Sequence, residues 1–208
     1  MSGKEDQYAR QAARWTDEAY ADATAYLEHR ADLIAGLGPR LEPGDEVLDL
    51  ACGDGGLGTT LLDRGLRYRG ADATSEMVLA ARARLGDRAP VDVGDLNDYV
   101  PPEPVAATTV FRAIYYARDR RAFFRHAAAY TEKKLVFDLN PRQYRLEDVV
   151  ADLRAAGLGR VALRPFFVPQ TVSLPSPVVA GAKVLERSGP LAKLALRFRF
   201  TYVVAASR

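Results

Sequence analysis

The residues best suited to binding a ligand lie in a glycine-rich run that follows a short apolar segment. Residues 47–58 read Val-Leu-Asp-Leu-Ala-Cys-Gly-Asp-Gly-Gly-Leu-Gly. Glycine lacks a Cβ, so it lets the backbone adopt positive φ and approach a bound molecule closely. A helix that begins there also offers unpaired N–H groups. Gly53, Gly55 and Gly58 satisfy the spacing G-x-G-x-x-G, which alone is only a weak indication of a dinucleotide site.

Two aspartates follow the next two predicted strands at positions that suit an adenosine-type ligand. Asp72 lies 19 residues after Gly53, where its carboxylate can accept hydrogen bonds from both ribose hydroxyls. Asp95 ends the third predicted strand and can accept a hydrogen bond from an adenine amino group. Each aspartate alone is also explained as a helix N-cap or a turn former. Glycine or aspartate at three successive strand ends nevertheless favours a binding rim along one sheet edge.

Short apolar runs that alternate with helical patterns must position this rim. The apolar runs are residues 46–51, 68–71, 90–93, 105–111, 135–139 and 161–167. The helical patterns are residues 57–65, 75–85, 120–131 and 146–156. Strand and helix in alternation predict an α/β fold with a mostly parallel sheet and helices on both faces. Ligands are then expected beyond the carboxyl ends of the strands.

The segment before the first predicted strand reads as a helix over residues 6–37. We expect residues 1–45 to form an N-terminal helical cap or lid and residues 46–208 to form the main domain. Tyr8, Trp15 and Tyr20 are the side chains that would close over a ligand. The alternative is a helix packed on the side of the sheet through Trp15.

The last part of the chain departs from the alternation. A final strand with one buried face is predicted from Phe198, Phe200, Tyr202 and Val204, which alternate with other residues. Residues 170–196 read as a small insertion before that strand. Val178, Ala182 and Leu185 fall on one helical stripe, which fits either packing near the ligand-binding edge or ordinary cover for the sheet.

The composition fits one folded domain, or one domain with an appendage, in 208 residues that are 48% hydrophobic and 27% charged. One cysteine cannot form an internal disulfide, and two histidines with it do not make up a usual zinc site. The longest uncharged run, residues 165–182, contains four prolines, so no membrane span is expected. The polar start, residues 1–6, has no apolar signal core, which predicts a cytoplasmic protein.

The net charge of +2 conceals an uneven distribution. Residues 1–46 hold five basic and ten acidic side chains, for −5, whereas residues 133–208 hold thirteen basic and five acidic ones, for +8. A basic third of a chain can meet nucleic acid or an anionic surface. The basic residues form no dense run and are not interleaved with aromatic residues, so we expect solvated faces and no nucleic-acid partner.

Taken together, these features make the chain resemble the class I S-adenosylmethionine-dependent methyltransferases. Residues 47–58 are similar to the first motif of that family, residues 70–77 to the second and residues 93–96 to the third. The resemblance covers about residues 15–158 and, more loosely, the final strand. It implies a three-layer Rossmann-like fold whose sheet has about seven strands, mostly parallel, with an antiparallel last strand.

The resemblance also implies which residues hold S-adenosylmethionine. Asp49 would anchor the methionine amino group, and Gly53 would let the backbone pass beneath the cofactor. Asp72 would bind the ribose. Met77 would lie against the adenine, and Asp95 would hold the edge of the adenine. The full cofactor-binding set predicted here is Asp49, Ala51, Cys52, Gly53, Gly55, Asp72, Ala73, Met77, Asp95, Leu96 and Arg112.

A nicotinamide-dependent Rossmann oxidoreductase is the main rival, because Gly53 and Asp72 fit a dinucleotide as well. Asp49 favours the methyltransferase, since a carboxylate four residues before the first glycine suits an ammonium group that a dinucleotide does not have there. Cys52 is read as a packing residue of the glycine turn rather than a nucleophile.

The acceptor end is expected after the fourth and fifth predicted strands. No Asn-Pro-Pro-Tyr pattern of amino-methylating enzymes follows the fourth strand, and Arg112 stands where metal-dependent members have a carboxylate, so we expect no metal. Arg112 also suits an acidic substrate, a neighbouring helix or a surface ion pair. No catalytic residue can be assigned, and His126 reads as structural. The predicted substrate-binding residues are Trp15, Tyr115, Tyr116 and Asn140.

The sequence therefore predicts an enzyme that transfers a methyl group in line from S-adenosylmethionine to a small, partly apolar molecule. Two further alternatives stay open: an RNA or protein methyltransferase that uses the basic C-terminal third, and a cofactor-binding fold without catalysis. The sequence indicates neither the acceptor atom nor the oligomeric state.

Overall fold

The computed structural model describes Thr16, residues 19–195 and residues 201–208. Trp15, Tyr8, Phe198 and Phe200 lie outside the described residues, so the predictions made for them stay predictions.

Seven strands form one sheet in the order β3-β2-β1-β4-β5-β7-β6. They are β1 (Glu46–Leu50), β2 (Arg67–Asp72), β3 (Val91–Val93), β4 (Val105–Val110), β5 (Thr131–Leu139), β6 (Arg160–Pro165) and β7 (Tyr202–Ser207). Strands β1 to β5 pair in parallel, and β7 is antiparallel to both β5 and β6. The predicted class, a mostly parallel Rossmann-like sheet with an antiparallel last strand, is confirmed.

Seven α-helices are described, and they are α1 (Ala23–Gly36), α2 (Gly56–Leu62), α3 (Ser75–Leu85), α4 (Arg120–Tyr130), α5 (Leu146–Ala155), α6 (Ser176–Glu186) and α7 (Pro190–Ala195). They cover the sheet on both faces, because strand side chains alternate between two cores. Val136 of β5 packs into the core that contains α1, α2 and α3, whereas its neighbours Leu135 and Phe137 pack into the core that contains α4 and α5. Within the described ranges, no helix has the length and apolar character needed to cross a membrane.

Three details of the flanking segments differ from the sequence predictions. The predicted helix over residues 6–37 is interrupted: Thr16 and Ala19 are helical, residues 20–22 are not, and α1 begins at Ala23, where the Asp22 side chain caps it by accepting a hydrogen bond from the N–H of Ala25 at 2.9 Å. Strand β7 is buried on both faces rather than one, since its side chains alternate between the two cores. In α6, Val178 and Leu185 of the predicted stripe are exposed, and Val179 is buried instead.

Candidate functional site

A cavity of about 410 Å³ lies at the carboxyl ends of strands β1 to β4. This is the edge of the sheet at which ligands bind in open α/β folds. Twelve of the predicted site residues line it: Asp49, Ala51, Cys52, Gly53, Asp72, Ala73, Met77, Asp95, Leu96, Arg112, Tyr115 and Tyr116. The topology therefore brings together residues that are up to 67 positions apart in the chain.

Two predicted residues do not line this cavity. Gly55 is the N-cap of α2 at φ 75°, and a Cβ there would lie 3.0 Å from the Leu85 side chain, so this glycine shapes the turn beneath the cavity. Asn140 folds a turn after β5, where its side-chain oxygen accepts a hydrogen bond from the N–H of Arg142 at 3.0 Å. The predicted ligand contacts of Gly55 and Asn140 have no support in this geometry.

Asp49 is a buried carboxylate at the inner wall of the cavity, with 3% of its surface exposed. Its two oxygens accept hydrogen bonds from the Thr109 hydroxyl at 2.7 Å and the Tyr68 hydroxyl at 3.0 Å. Burial raises the pKa of Asp49 to about 6, although these hydrogen bonds and the charge of Arg30 oppose the shift. A carboxylate held in this way is suited to pair with a cation that enters the cavity.

Asp72 fixes the glycine turn to the end of β2. One carboxylate oxygen accepts a hydrogen bond from the N–H of Gly53 and the other from the N–H of Thr74, both at 2.9 Å. Burial raises the pKa of Asp72, and the two backbone hydrogen bonds oppose that shift. Each oxygen keeps acceptor capacity on the cavity side, which suits a pair of hydroxyl donors.

The third aspartate, Asp95, stands at the other end of the cavity. One of its oxygens accepts hydrogen bonds from the backbone and side-chain N–H groups of Asn97, and the other is 3.2 Å from Nη2 of Arg118. Burial alone would raise the pKa of Asp95, but the hydrogen bonds from Asn97 and the charge of Arg118 lower it. Tyr115 and Tyr116 line this end with their rings 4.4 Å apart, and about half of each side chain is exposed.

Cys52 is buried in the glycine turn beside these carboxylates. Burial raises the pKa of its thiol well above the ordinary value, and Asp49 and Asp72 raise it further. The thiol is therefore protonated at neutral pH, which agrees with its interpretation as a packing residue rather than a nucleophile.

Sequence reasoning missed the cavity residues that come from the N-terminal segment. Thr16, Leu27 and Arg30 all line the cavity, and Tyr20, which was predicted only as part of a lid, lines it with them. A signal for Arg30 exists in the sequence: it lies four residues after Tyr26 and four before Ile34, on the stripe of α1 that packs inward. A charged residue on a buried stripe marks a candidate site.

Comparisons with known proteins agree with this geometry. A family model described as a methyltransferase domain matches residues 47–134. An uncharacterized methyltransferase of Geobacillus thermodenitrificans (strain NG80-2) is 29% identical over 112 residues, which are 51% of this chain and 52% of the relative. Residues 47–134 therefore match a methyltransferase domain, and the chain resembles the class I S-adenosylmethionine-dependent methyltransferases. It spans about half the length of the curated methyltransferases that it matches.

Solved structures share the fold of this methyltransferase domain over nearly its whole length. The Haloferax volcanii putative methyltransferase in complex with the Trm112 methyltransferase activator has a TM-score of 0.68 and 21% identity, covering 97% of both chains. The Haemonchus contortus phosphoethanolamine N-methyltransferase 2, in complex with phosphomonomethylethanolamine and S-adenosylhomocysteine, has a TM-score of 0.60 and 16% identity, covering 93% of this chain and 59% of that one.

The donor and acceptor groups of the methyltransferase cavity fit S-adenosylmethionine. Asp49 offers a buried carboxylate for an ammonium group, and Asp72 offers free acceptor capacity for the two ribose hydroxyls. The left-handed backbone of Gly53, at φ 58°, leaves no side chain between the turn and the cavity. Within the described ranges, no group of three or more His, Cys, Asp or Glu side chains is placed to hold a metal ion.

Proposed function

We propose that the protein transfers a methyl group from S-adenosylmethionine to a small, partly apolar acceptor by direct in-line displacement. The observation that carries the proposal is the series Asp49, Asp72 and Asp95. Asp49 lies near the end of β1, Asp72 ends β2, and Asp95 follows β3. These are neighbouring strands of the sheet, and all three aspartates line one cavity. The cavity continues beyond them to Phe111 and Arg112 at the end of β4.

When bound, S-adenosylmethionine supplies an activated methyl group on a positively charged sulfur. The sulfur leaves as a neutral thioether that keeps the electron pair of the broken bond, so the protein needs no acid for the leaving group. We assign Asp49 to the ammonium group, Asp72 to the ribose hydroxyls and Asp95 to the adenine amino group. The chain then acts chiefly by positioning the two reactants and by excluding water.

The N-terminal segment supports the proposed division into a cap, residues 1–45, and a main domain. Tyr20 and Arg30 line the cavity from this segment. The insertion at 170–196 is bonded to it, because Gln170 accepts a hydrogen bond from the N–H of Ala21 at 2.9 Å and donates one from its side chain to the carbonyl of Ala19 at 3.0 Å. We propose that cap and insertion together define the acceptor.

RNA or protein methylation is the second candidate, because residues 133–208 carry a charge of +8. Several of these basic side chains bond inside the protein. Lys133 pairs with Asp45, Lys134 donates to the carbonyls of Ala35 and Leu37, and Arg208 donates to the carbonyl of Ala128. These contacts favour a structural use of the charge over a continuous nucleic-acid surface.

Titration calorimetry with S-adenosylmethionine, S-adenosylhomocysteine and NAD tests the proposal directly. We expect the first two to bind with micromolar dissociation constants and NAD not to bind. We expect Asp72→Ala to lose at least tenfold in affinity, while Asp63→Ala, on the exposed surface, serves as the matched control. Absence of millimolar binding of either cofactor, or preferential binding of NAD, would overturn the proposal. Salt-sensitive RNA binding would favour the second candidate.

A further inference from the structure

Arg30 is a buried guanidinium at the end of the cavity away from the adenosine aspartates. It is 3% exposed and lines the cavity. Its guanidinium carbon lies 4.1 Å from the centre of the Phe111 ring and 4.7 Å from that of Tyr26. Nη2 donates a hydrogen bond to the Tyr26 hydroxyl at 2.8 Å, but the buried Nε has no hydrogen-bond acceptor among the residues that the structure describes. A buried donor without an acceptor is costly, which favours a ligand that supplies one.

Asp138 is the carboxylate that pairs with Arg30 at this end of the cavity. Asp138, near the end of β5, accepts a hydrogen bond from the backbone N–H of Arg112 at 2.7 Å and lies 4.0 Å from Nη2 of Arg30. Burial raises the pKa of Asp138, although the charges of Arg30 and Arg112 oppose that shift. Asp49 is the next carboxylate, and the proposed function assigns it to the cofactor's ammonium group.

The position of Arg30 separates it from the adenosine end. Phe111 and Arg112 follow β4, and Asp138 lies near the end of β5. The aspartates assigned to the cofactor belong to the ends of β1, β2 and β3, on the other side in the sheet order. Arg30 therefore lies at the β4 and β5 side of the cavity, which is the side on which the acceptor is expected.

The remaining walls of this end are apolar or aromatic. Tyr20, Leu27 and Phe111 line the cavity next to Arg30. We propose that the methyl acceptor is a small acid with an apolar body, and that Arg30 binds its carboxylate. This inference rests on the proposed function and names the substrate class of the same site. A buried guanidinium recognises a carboxylate through charge-assisted hydrogen bonds, whereas the neutral amide of the same shape lacks the charge.

The test uses ¹⁹F NMR titration of 4-fluorobenzoate and 4-fluorophenylacetate against their amides, with S-adenosylhomocysteine at saturation. We expect at least one acid to bind at least tenfold more tightly than its amide. Arg30→Met should weaken acid binding at least tenfold and change amide binding less than twofold. Arg40→Gln removes an arginine whose side chain is 80% exposed and serves as the matched control.

The same titrations distinguish an acceptor carboxylate from the carboxylate of the cofactor itself. If Arg30 held the cofactor, S-adenosylhomocysteine would displace the acids. Arg30→Met would then weaken the binding of S-adenosylhomocysteine but not that of 5′-methylthioadenosine, which has no amino-acid part. Either result overturns the inference. The inference is also overturned if the wild-type protein binds acids and amides equally or binds neither, and this comparison does not depend on the folding of a variant. Failure of S-adenosylhomocysteine to bind the wild-type protein would instead refute the proposed function.

Discussion

Thr16 is bonded through both its backbone and its side chain to Asp54 of the glycine turn. The N–H of Thr16 donates to one oxygen of Asp54 at 2.9 Å, and the Thr16 hydroxyl donates to the other. Arg84 also donates to Asp54 at 2.7 Å, so a single buried carboxylate joins the N-terminal segment, the turn and helix α3. The segment that covers the cavity is thereby fixed to the loop that forms its base.

Thr16→Val is expected to loosen this connection, because it removes the hydroxyl donor and keeps the shape of the side chain. The loss of one buried hydrogen bond should lower the free energy of unfolding by about 1 kcal/mol. S-adenosylhomocysteine should also bind several-fold more weakly by calorimetry. Thr171→Val, at an exposed position, is the control and should change neither quantity. Unchanged affinity in Thr16→Val would mean that this contact does not support the site.

The affinity for S-adenosylhomocysteine should rise with pH between 5 and 7. The pKa of Asp49 is raised to about 6 in the free protein, and an ammonium group beside it must lower that pKa, so binding releases a proton below pH 6. Affinity therefore falls by up to about tenfold for each pH unit below that value and levels off above it. Calorimetry in buffers of different ionisation enthalpy measures both the affinity and the released proton.

Asp49→Asn is the matched variant for this pH dependence. The amide keeps the size of the side chain, and the Thr109 hydroxyl can accept from it while donating to the Leu48 carbonyl, which lies 3.3 Å away. We expect weaker binding at pH 7 and a flatter profile from pH 5 to 7, because Asp72 still contributes its own titration. If the affinity of Asp49→Asn depended on pH as steeply as that of the wild-type protein, Asp49 would not be the residue that pairs with the ammonium group.

Gly58→Ala should destabilise the protein by about 1 to 3 kcal/mol through overpacking. A Cβ at Gly58 would lie 2.7 Å from the ring of Tyr68, whose hydroxyl holds Asp49 in place. Affinity for S-adenosylhomocysteine should fall with stability, as measured by urea denaturation and calorimetry. Gly36→Ala is the control, because a Cβ there meets no atom within 4 Å, and it should change stability by about 1 kcal/mol or less. Equal effects of the two substitutions would contradict this packing argument.

Glu186→Ala should lower the free energy of unfolding by about 1 to 3 kcal/mol, because it removes a buried hydrogen-bond partner of the His29 imidazole. Glu186 of α6 lies 2.6 Å from Nε2 of His29 in α1, and both side chains are 1% exposed. Its other oxygen accepts a hydrogen bond from the N–H of Phe167 at 2.6 Å. A double-mutant cycle with His29→Ala should give a coupling above about 1 kcal/mol. Glu147→Ala, which breaks an exposed pair with Arg145, is the control.

The part of the cavity at the ends of β1 to β3 was predictable from sequence because each of its predicted residues lies within a few positions of a strand end. The glycine run, Asp72 and Asp95 are local features, and the parallel sheet brings successive strand ends to one edge. Asn140 shows the limit of this reasoning. It follows β5 at the correct edge, but its side chain bonds within its own turn.

The part of the cavity around Arg30 was not predictable in the same way, because its residues come from distant segments. Arg30 and Phe111 are 81 positions apart and meet only through the packing of α1 on the sheet. The burial of β7 on both faces likewise depends on the two cores that cover the sheet, which the alternation in its own sequence does not reveal. Non-local pairings of this kind need the fold as a whole.

The position of β7 between β5 and β6 also sets an order of assembly during translation. Strand β6 is synthesised before β7, yet within the described sheet its neighbour is β7 alone. Because a domain folds as a unit, β6 gains its neighbouring strand in the sheet only after β7 has been made. The part of the sheet made of β5, β7 and β6 is complete only when β7 has been synthesised.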